Sequence, residues 1–350
     1  MQVVRISRSG IAEYFIHITN ISVEQAAQHF LKVMQFLQAQ NAAPASVTAF
    51  GPRPEAILEA AFKKISPSAS WVISNNNSIS LQIWAIEGCA LTPIESEGNI
   101  FGWTFEDANA RYCRLEGILP QHLSAPRSVQ ALETFDCMNA ALGRIGMTFH
   151  HVVRTWLFID HILDWYGEFN QARHDFFHRR QIFDGLVPAS TGVAGENLAN
   201  AALQAGLLAI QPKNGSVRAE AVPSPLQCPA LEYGSAFSRA VEVQAPDHRR
   251  LMISGTASIA LEGHTCHLDD LNGQIKCTYD VLHAILASRG MDWPDVCRAI
   301  LYFKLPDGLP RSLAIHAQWG LPLLPAAFAE FDICRGDLLF EVELDAIKTR

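Results

Sequence analysis

One stretch of this chain recurs, without a gap, at a fixed offset of 144 residues: Phe135–Phe158 lies over Tyr279–Tyr302. Asp136, Ala140, Leu142, Gly146, Met147, Val152, Arg154 and Leu157 all meet an identical residue across that offset. Each copy reads as an amphipathic helix, a Gly-Met turn and an apolar strand entered through Val-x-Arg. A helix followed by a strand, twice in one chain, calls for sheets that bury one face against helices. The expected class is α+β (α/β), built as a tandem of two related modules.

The length agrees, because 350 residues exceed the roughly 250–300 that one hydrophobic core serves. Gln211 to Ser235 carries Pro212, Pro223, Pro225 and Pro229 without a clear period, which reads as a linker. The division then falls near residue 220, giving modules at 1–220 and 221–350, with residues 1–95 as an extension of the first. Val23 to Gln40 has helical spacing, Asn41 to Pro54 reads as a Pro/Gly loop, Trp71 to Ile86 alternates like strands broken at Asn75-Asn76-Asn77, and Arg111 to Ile118 reads as a strand.

Composition excludes several classes. The chain is 49% hydrophobic and 18% charged, and no apolar run approaches the ~18 residues of a membrane span. Met1 to Arg8 shows no basic flank leading into an apolar core, so a cytoplasmic location is expected. The 27 Lys and Arg against 35 Asp and Glu give a net charge of −8, and no basic cluster exceeds His178-Arg179-Arg180, so no nucleic-acid partner is expected. The eight cysteines include no C-x-x-C pair, and His150-His151 and Cys266-His267 lack metal-site spacing. Neither a metal nor a cofactor is expected.

Tyr233-Gly234-Ser235-Ala236, then Ser254-Gly255-Thr256, then the repeated helix and strand, then Phe340-Glu341-Val342-Glu343 follow an order that resembles the RidA/YjgF fold. That family's deaminases carry an arginine early in a closing hairpin, where this chain reads Leu324-Pro325-Ala326-Ala327-Phe328. A guanidinium clamp on a carboxylate has no substitute in a methyl group, which disfavours imine deamination. The first module adds Arg154-Thr155-Trp156, Tyr166-Gly167-Glu168-Phe169-Asn170-Gln171-Ala172-Arg173 and Pro188-Ala189-Ser190-Thr191-Gly192. Joined to Asp332-Ile333-Cys334-Arg335-Gly336-Asp337, these resemble the chorismatases, RidA-like two-module enzymes that remove pyruvate from chorismate. The likeness spans about residues 100–347.

The resemblance implies the chemistry. Chorismate carries two carboxylates, so its site needs fixed cations, and Arg239, Arg173 and Arg154 are the candidates, with Thr191, Tyr166, Ser235 and Gly255 completing the binding set. Arg154 has a competing structural reading, because Arg298 takes the same place in the second copy. Breaking the enol ether needs a proton on its terminal methylene, and Glu341 matches the family's catalytic glutamate. Glu343, two residues on, reads as a paired carboxylate on the same face. Cys334 corresponds to the product-determining position and resembles the hydroxybenzoate-forming branches. A two-residue turn at Arg335-Gly336 would instead set Cys334 roughly 13 Å from Glu341.

The expected function is conversion of chorismate to hydroxybenzoate, with the 3-isomer favoured over the 4-isomer, and pyruvate. Hydrolysis of chorismate to a dihydroxycyclohexadiene carboxylate, a RidA-like enamine or imine deaminase, and a non-catalytic metabolite-binding module are the alternatives. RidA proteins are trimers with sites between subunits, and the sequence leaves monomer and trimer both open.

Overall fold

The computed structural model describes residues 1–306 and 308–350. Three mixed sheets, each backed by two helices, account for the regular structure among the described residues. The first is built from β1 (Gln2–Arg8), β2 (Ile11–Ser22), α1 (Val23–Ala39), β3 (Ala42–Gly51), α2 (Ala56–Lys63), β4 (Ser70–Ile73) and β5 (Ser78–Glu87). The second uses β6 (Thr92–Ser96), β7 (Asn99–Glu106), β8 (Ala110–Ile118), α3 (Arg127–Arg144), β9 (Val152–Ile159), α4 (Ile162–Arg179), β10 (Ala189–Ala194) and β11 (Leu203–Pro212). The third uses β12 (Arg218–Val222), β13 (Ala240–Gln244), β14 (His248–Ala257), α5 (Leu271–Ser288), β15 (Val296–Phe303), α6 (Gly308–Trp319), β16 (Ala326–Glu330) and β17 (Phe340–Thr349).

The internal repeat is visible directly: α3 and α5, and β9 and β15, have bounds that differ by the same 144 residues. Gly146 and Gly290 each take positive φ (+69° and +63°) just past the helix, a left-handed stop that glycine adopts at no steric cost. In every sheet the strand next to one edge is flanked by a parallel partner and an antiparallel one: β3 by β4 and β5, β9 by β10 and β11, β15 by β16 and β17. The closing elements β16 and β17 are therefore not a hairpin, because β15 lies between them.

Three expectations are corrected here. Residues 1–95 do not extend the first module, since residues 2–87 form a sheet of their own with the element order of the other two less one initial strand. Asn41 to Pro54 is no loop but holds β3. Its proline hides it: Pro44 sits at a register break against β5, where the missing N–H costs no ladder bond. Asn41, with φ +52°, does the work of the Gly146 and Gly290 stops. The expected linker likewise contains β12, which pairs with β13.

Each sheet packs one face on its own helices and the other on a core common to all three, where Phe15 and Trp84, Val153 and Trp156, and Met252 and Ile300 meet. β9 and β15 are buried at every position, as strands covered on both faces must be. A buried ionic knot ties the sheets together at one end. Glu13 accepts from Arg8 Nε (2.5 Å), from Trp84 Nε1 (2.8 Å) and from Arg250, while Arg8 Nη1 donates to Asp107 (2.8 Å). Against the cost of burial, Arg250 and Arg8 hold the Glu13 carboxyl down to about 2.

Candidate active site

Where the second sheet meets the third, Ser190 N–H donates to Ser254 Oγ (2.9 Å) and Ser254 Oγ to the Ser238 carbonyl (2.5 Å). This seam opens into a cavity of about 220 Å³. Glu341 and Gly255 come to its wall from the third sheet, Tyr166 and Asn170 from α4, and Ser235, Arg239, Cys334 and Arg335 from loops. Tyr166, Asn170 and Arg173 follow one another at helical spacing on one face of α4, so the helix presents them as a set.

Glu341 and Glu343 share a face of β17, yet their environments separate them. Glu343 accepts from Arg154 Nη2 (2.8 Å), Trp156 Nε1 (2.7 Å) and Arg298. Against burial, the two arginines hold its carboxyl down to about 2. Glu341, 4% exposed, faces the cavity instead. Burial first, and the fixed negative charge of Glu343 second, push its carboxyl up to about 8, with Arg154 and Arg239 opposing. One member of the pair is thus a permanent anion and the other a neutral acid at pH 7.

Gly255 lies at a break in register between β14 and β17, and its lack of a Cβ is the reason Glu341 fits. A Cβ there would collide with Glu341 Oε1 and come within 3.3 Å of Thr191 Cγ2. Thr191 accepts from the Gly255 N–H (3.1 Å) and from Arg154 Nη2 (2.7 Å), and Arg154 Nη1 donates to the Ile253 carbonyl (3.0 Å). Thr191 and Arg154 therefore stand behind the wall rather than in it. The two repeat-related arginines, Arg154 and Arg298, converge on Glu343 from neighbouring sheets.

Arg173 also stands back from the cavity. Its Nη2 donates to Asn170 Oδ1 (2.6 Å), and its guanidinium lies over the rings of Phe169 and Phe237 at 5.4 and 5.9 Å. Arg239 lines the cavity: Nε donates to the Cys228 carbonyl (2.9 Å), the group lies 5.4 Å from the Tyr233 ring, and Nη2 is buried without a partner among the described residues. Arg335 lines it too, with Nη1 on the Gly263 carbonyl (2.7 Å) and its guanidinium 5.4 Å from the same Tyr233 ring. Arg335 and Asn170 were not singled out from the sequence, although both sit inside the motifs that were. The adjacency of Arg335 to Cys334 was the available signal.

Cys334 lines the same cavity as Glu341, and the two-residue hairpin that would have set them apart is absent, because β15 stands between β16 and β17. Because β16 and β17 flank β15, the segment between them must cross the strand end, and it turns through Leu338 N–H to the Arg335 carbonyl (3.2 Å). Burial, and then the Glu341 charge, push the Cys334 thiol up to about 12, with Arg335 and Tyr166 opposing. It is a neutral thiol that shapes the wall, not a thiolate nucleophile. The Tyr166 phenol, raised by burial, interacts with Cys334, Arg173 and Ser235.

Three mixed sheets around a common core, with a polar cavity at one seam, define the architectural class. The chain has the fold of chorismatase: a crystal structure of a chorismatase superposes with a TM-score of 0.66 at 17% identity, covering 97% of this chain and 99% of that one. A putative endoribonuclease from Thermotoga maritima (19% identity, TM-score 0.31) covers 37% of this chain and is itself covered to 97%. A putative endoribonuclease L-PSP from Entamoeba histolytica (20% identity, TM-score 0.31) covers 37% and is covered to 98%. No protein-family model matches the sequence, and no curated protein does. Among the described residues no helix is long and apolar enough to cross a membrane.

Proposed function

We propose that this chain cleaves chorismate to a hydroxybenzoate, the 3-isomer in preference to the 4-isomer, and pyruvate. The observation that carries the reading is a buried carboxyl poised to stay protonated at neutral pH, Glu341, in the same cavity as the unpaired Nη2 of Arg239. Glu341 delivers its proton to the terminal methylene of the enolpyruvyl ether, and positive charge develops on the ether carbon. The carboxylate left behind on Glu341 then stabilises that cation across the cavity. Arg239 and Arg335, both on the wall, supply the two cationic donors that a dicarboxylate needs.

The neutral Cys334 acts on product choice through shape. A dry, uncharged wall beside the ring disfavours water as the nucleophile. The ring hydroxyl next to the ether then displaces pyruvate from its carbon, and the resulting epoxide opens to leave the oxygen there and takes back the hydroxyl proton. A ring C–H proton lost to the Glu341 carboxylate restores the acid, so no net water enters and the ring aromatises. The hydrolytic alternative adds one water to the same atoms. Purified protein incubated with chorismate and followed by mass spectrometry decides between them: hydroxybenzoate and pyruvate in equal amounts support the proposal. A product heavier than hydroxybenzoate by one water, with two ring carbons saturated, refutes the hydroxybenzoate assignment, and absence of pyruvate refutes the reaction.

A further inference from the structure

Elsewhere in the chain a buried arginine meets an acid: Arg8 and Arg250 pair with Glu13, Arg114 with Glu116, and Arg154 and Arg298 with Glu343. The two buried arginines beside the cavity break that pattern. Arg173 meets Asn170 Oδ1 (2.6 Å) and the Tyr166 phenol, and Arg239 meets the Cys228 carbonyl (2.9 Å), all of them neutral groups. Half-buried Arg335 likewise has the Gly263 carbonyl (2.7 Å), and among the described residues none of the three pairs with a carboxylate. A cation taken from water without an acid beside it is costly, so the missing negative charge belongs to a ligand.

Aromatic rings link these cations where acids would otherwise stand. The Phe237 ring centroid is 5.9 Å from the Arg173 guanidinium and 5.6 Å from that of Arg239, and the Tyr233 centroid is 5.4 Å from Arg239 and 5.4 Å from Arg335. At these distances the negative face of a ring attracts a guanidinium, while its bulk fixes where the charge sits. Sharing the Tyr233 ring keeps the charge centres of Arg239 and Arg335 no more than about 11 Å apart. Tyr233 is itself held, since it ends a one-turn helix, Ala230–Tyr233, that Gly234 closes at φ +84°. Its ring lines the cavity beside both arginines.

We propose that Tyr233 is a positioning residue that sets the span between the cations of Arg239 and Arg335, and with it the preference of the site for one rigid dianion over monoanions. A ligand with two carboxylates engages both cations at once, whereas a monocarboxylate engages one and leaves the other unmatched. The inference deepens the reading above and rests on it for the identity of the dicarboxylate. Cleavage of chorismate then has a consequence for release: hydroxybenzoate and pyruvate carry one carboxylate each, so neither product keeps the two-cation attachment that held the substrate.

Isophthalate, a rigid dianion that cannot react, is the probe and benzoate the monoanionic control, each titrated calorimetrically into the full chain at low salt. The unaltered chain should bind isophthalate at least about tenfold more tightly than benzoate. Tyr233→Phe should keep that ratio, because the ring remains. Tyr233→Leu should lower it about tenfold, since Arg335 is no longer held, while the affinity for benzoate and the melting temperature stay as in the parent. Arg335→Met should lower the ratio equally, and the double variant no further than either single one, because both changes act through the same cation. Equal affinity of the unaltered chain for the two probes overturns the proposal, as does a Tyr233→Leu variant that keeps the ratio, a Tyr233→Phe variant that loses it, or losses that add in the double variant. Selective binding of isophthalate with no pyruvate released from chorismate overturns the reaction and leaves the positioning role of Tyr233 standing.

Discussion

Replacing Glu341 by glutamine separates its electrostatics from its chemistry. The carboxyl is held at about 8 against an ordinary 4.5, so between these values the folded chain keeps a proton that the unfolded chain has released. The folded state then binds more protons than the unfolded one, and stability falls as pH rises, by about 1.4 kcal/mol per pH unit at the steepest. It is fully present below 4.5 and lost by the time pH has passed 8, a total of at most about 5 kcal/mol for this buried group. Glu341→Gln keeps the volume and removes the titration. Denaturant midpoints of both proteins from pH 5 to pH 9 should therefore diverge, with the variant increasingly the more stable. Glu343, held near 2, contributes nothing over that range, and the other titrating groups cancel in the difference. The same substitution should lower kcat about 10²–10⁴-fold with KM little changed. If the difference in stability is flat from pH 5 to pH 9, Glu341 is ionised in the folded state and the acid assignment fails with it.

Three further outcomes follow from the cavity wall. Cys334→Ala should keep pyruvate release while the ratio of hydroxybenzoate to pyruvate drops below one and a diene diol appears; a ratio that stays at one makes the cysteine mere packing. Arg239→Met should raise KM for chorismate about 10–100-fold, because a buried charge-assisted bond is lost, while the melting temperature changes little; an unchanged KM removes Arg239 from the site. Arg154→Met should behave in the opposite way, costing about 3–5 kcal/mol of stability by leaving the Glu343 carboxylate half-paired in the interior. A variant of Arg154 that is fully stable but binds chorismate poorly would restore its reading as a substrate ligand.

What could be read from the sequence and what could not divide along a physical line. Local stereochemistry is written in short stretches. The helix, left-handed glycine and Val-x-Arg strand at 135–158 and 279–302 were legible because each depends on a few neighbouring residues, and Glu341 and Cys334 were legible because their motifs carry them. The first sheet was not, since Asn41 replaces the glycine at the left-handed stop after α1, and Pro44 masks β3, a proline that becomes harmless only at a bulge that the sheet itself creates. Arg154, Arg173 and Arg239 look alike as letters. Arg173 is held by Asn170 one turn back on its own helix, but only the packing of the second sheet against the third sends Arg154 to Glu343 and leaves Arg239 with a free nitrogen in the cavity. The approach of Cys334 to Glu341 was likewise decided by tertiary structure, because β15 intervenes between two strands that are consecutive in the chain. Side-chain type and local spacing determine which groups can do chemistry, but which carboxyl is neutral and which cation is unpaired depends on burial and on charges that arrive from distant parts of the chain.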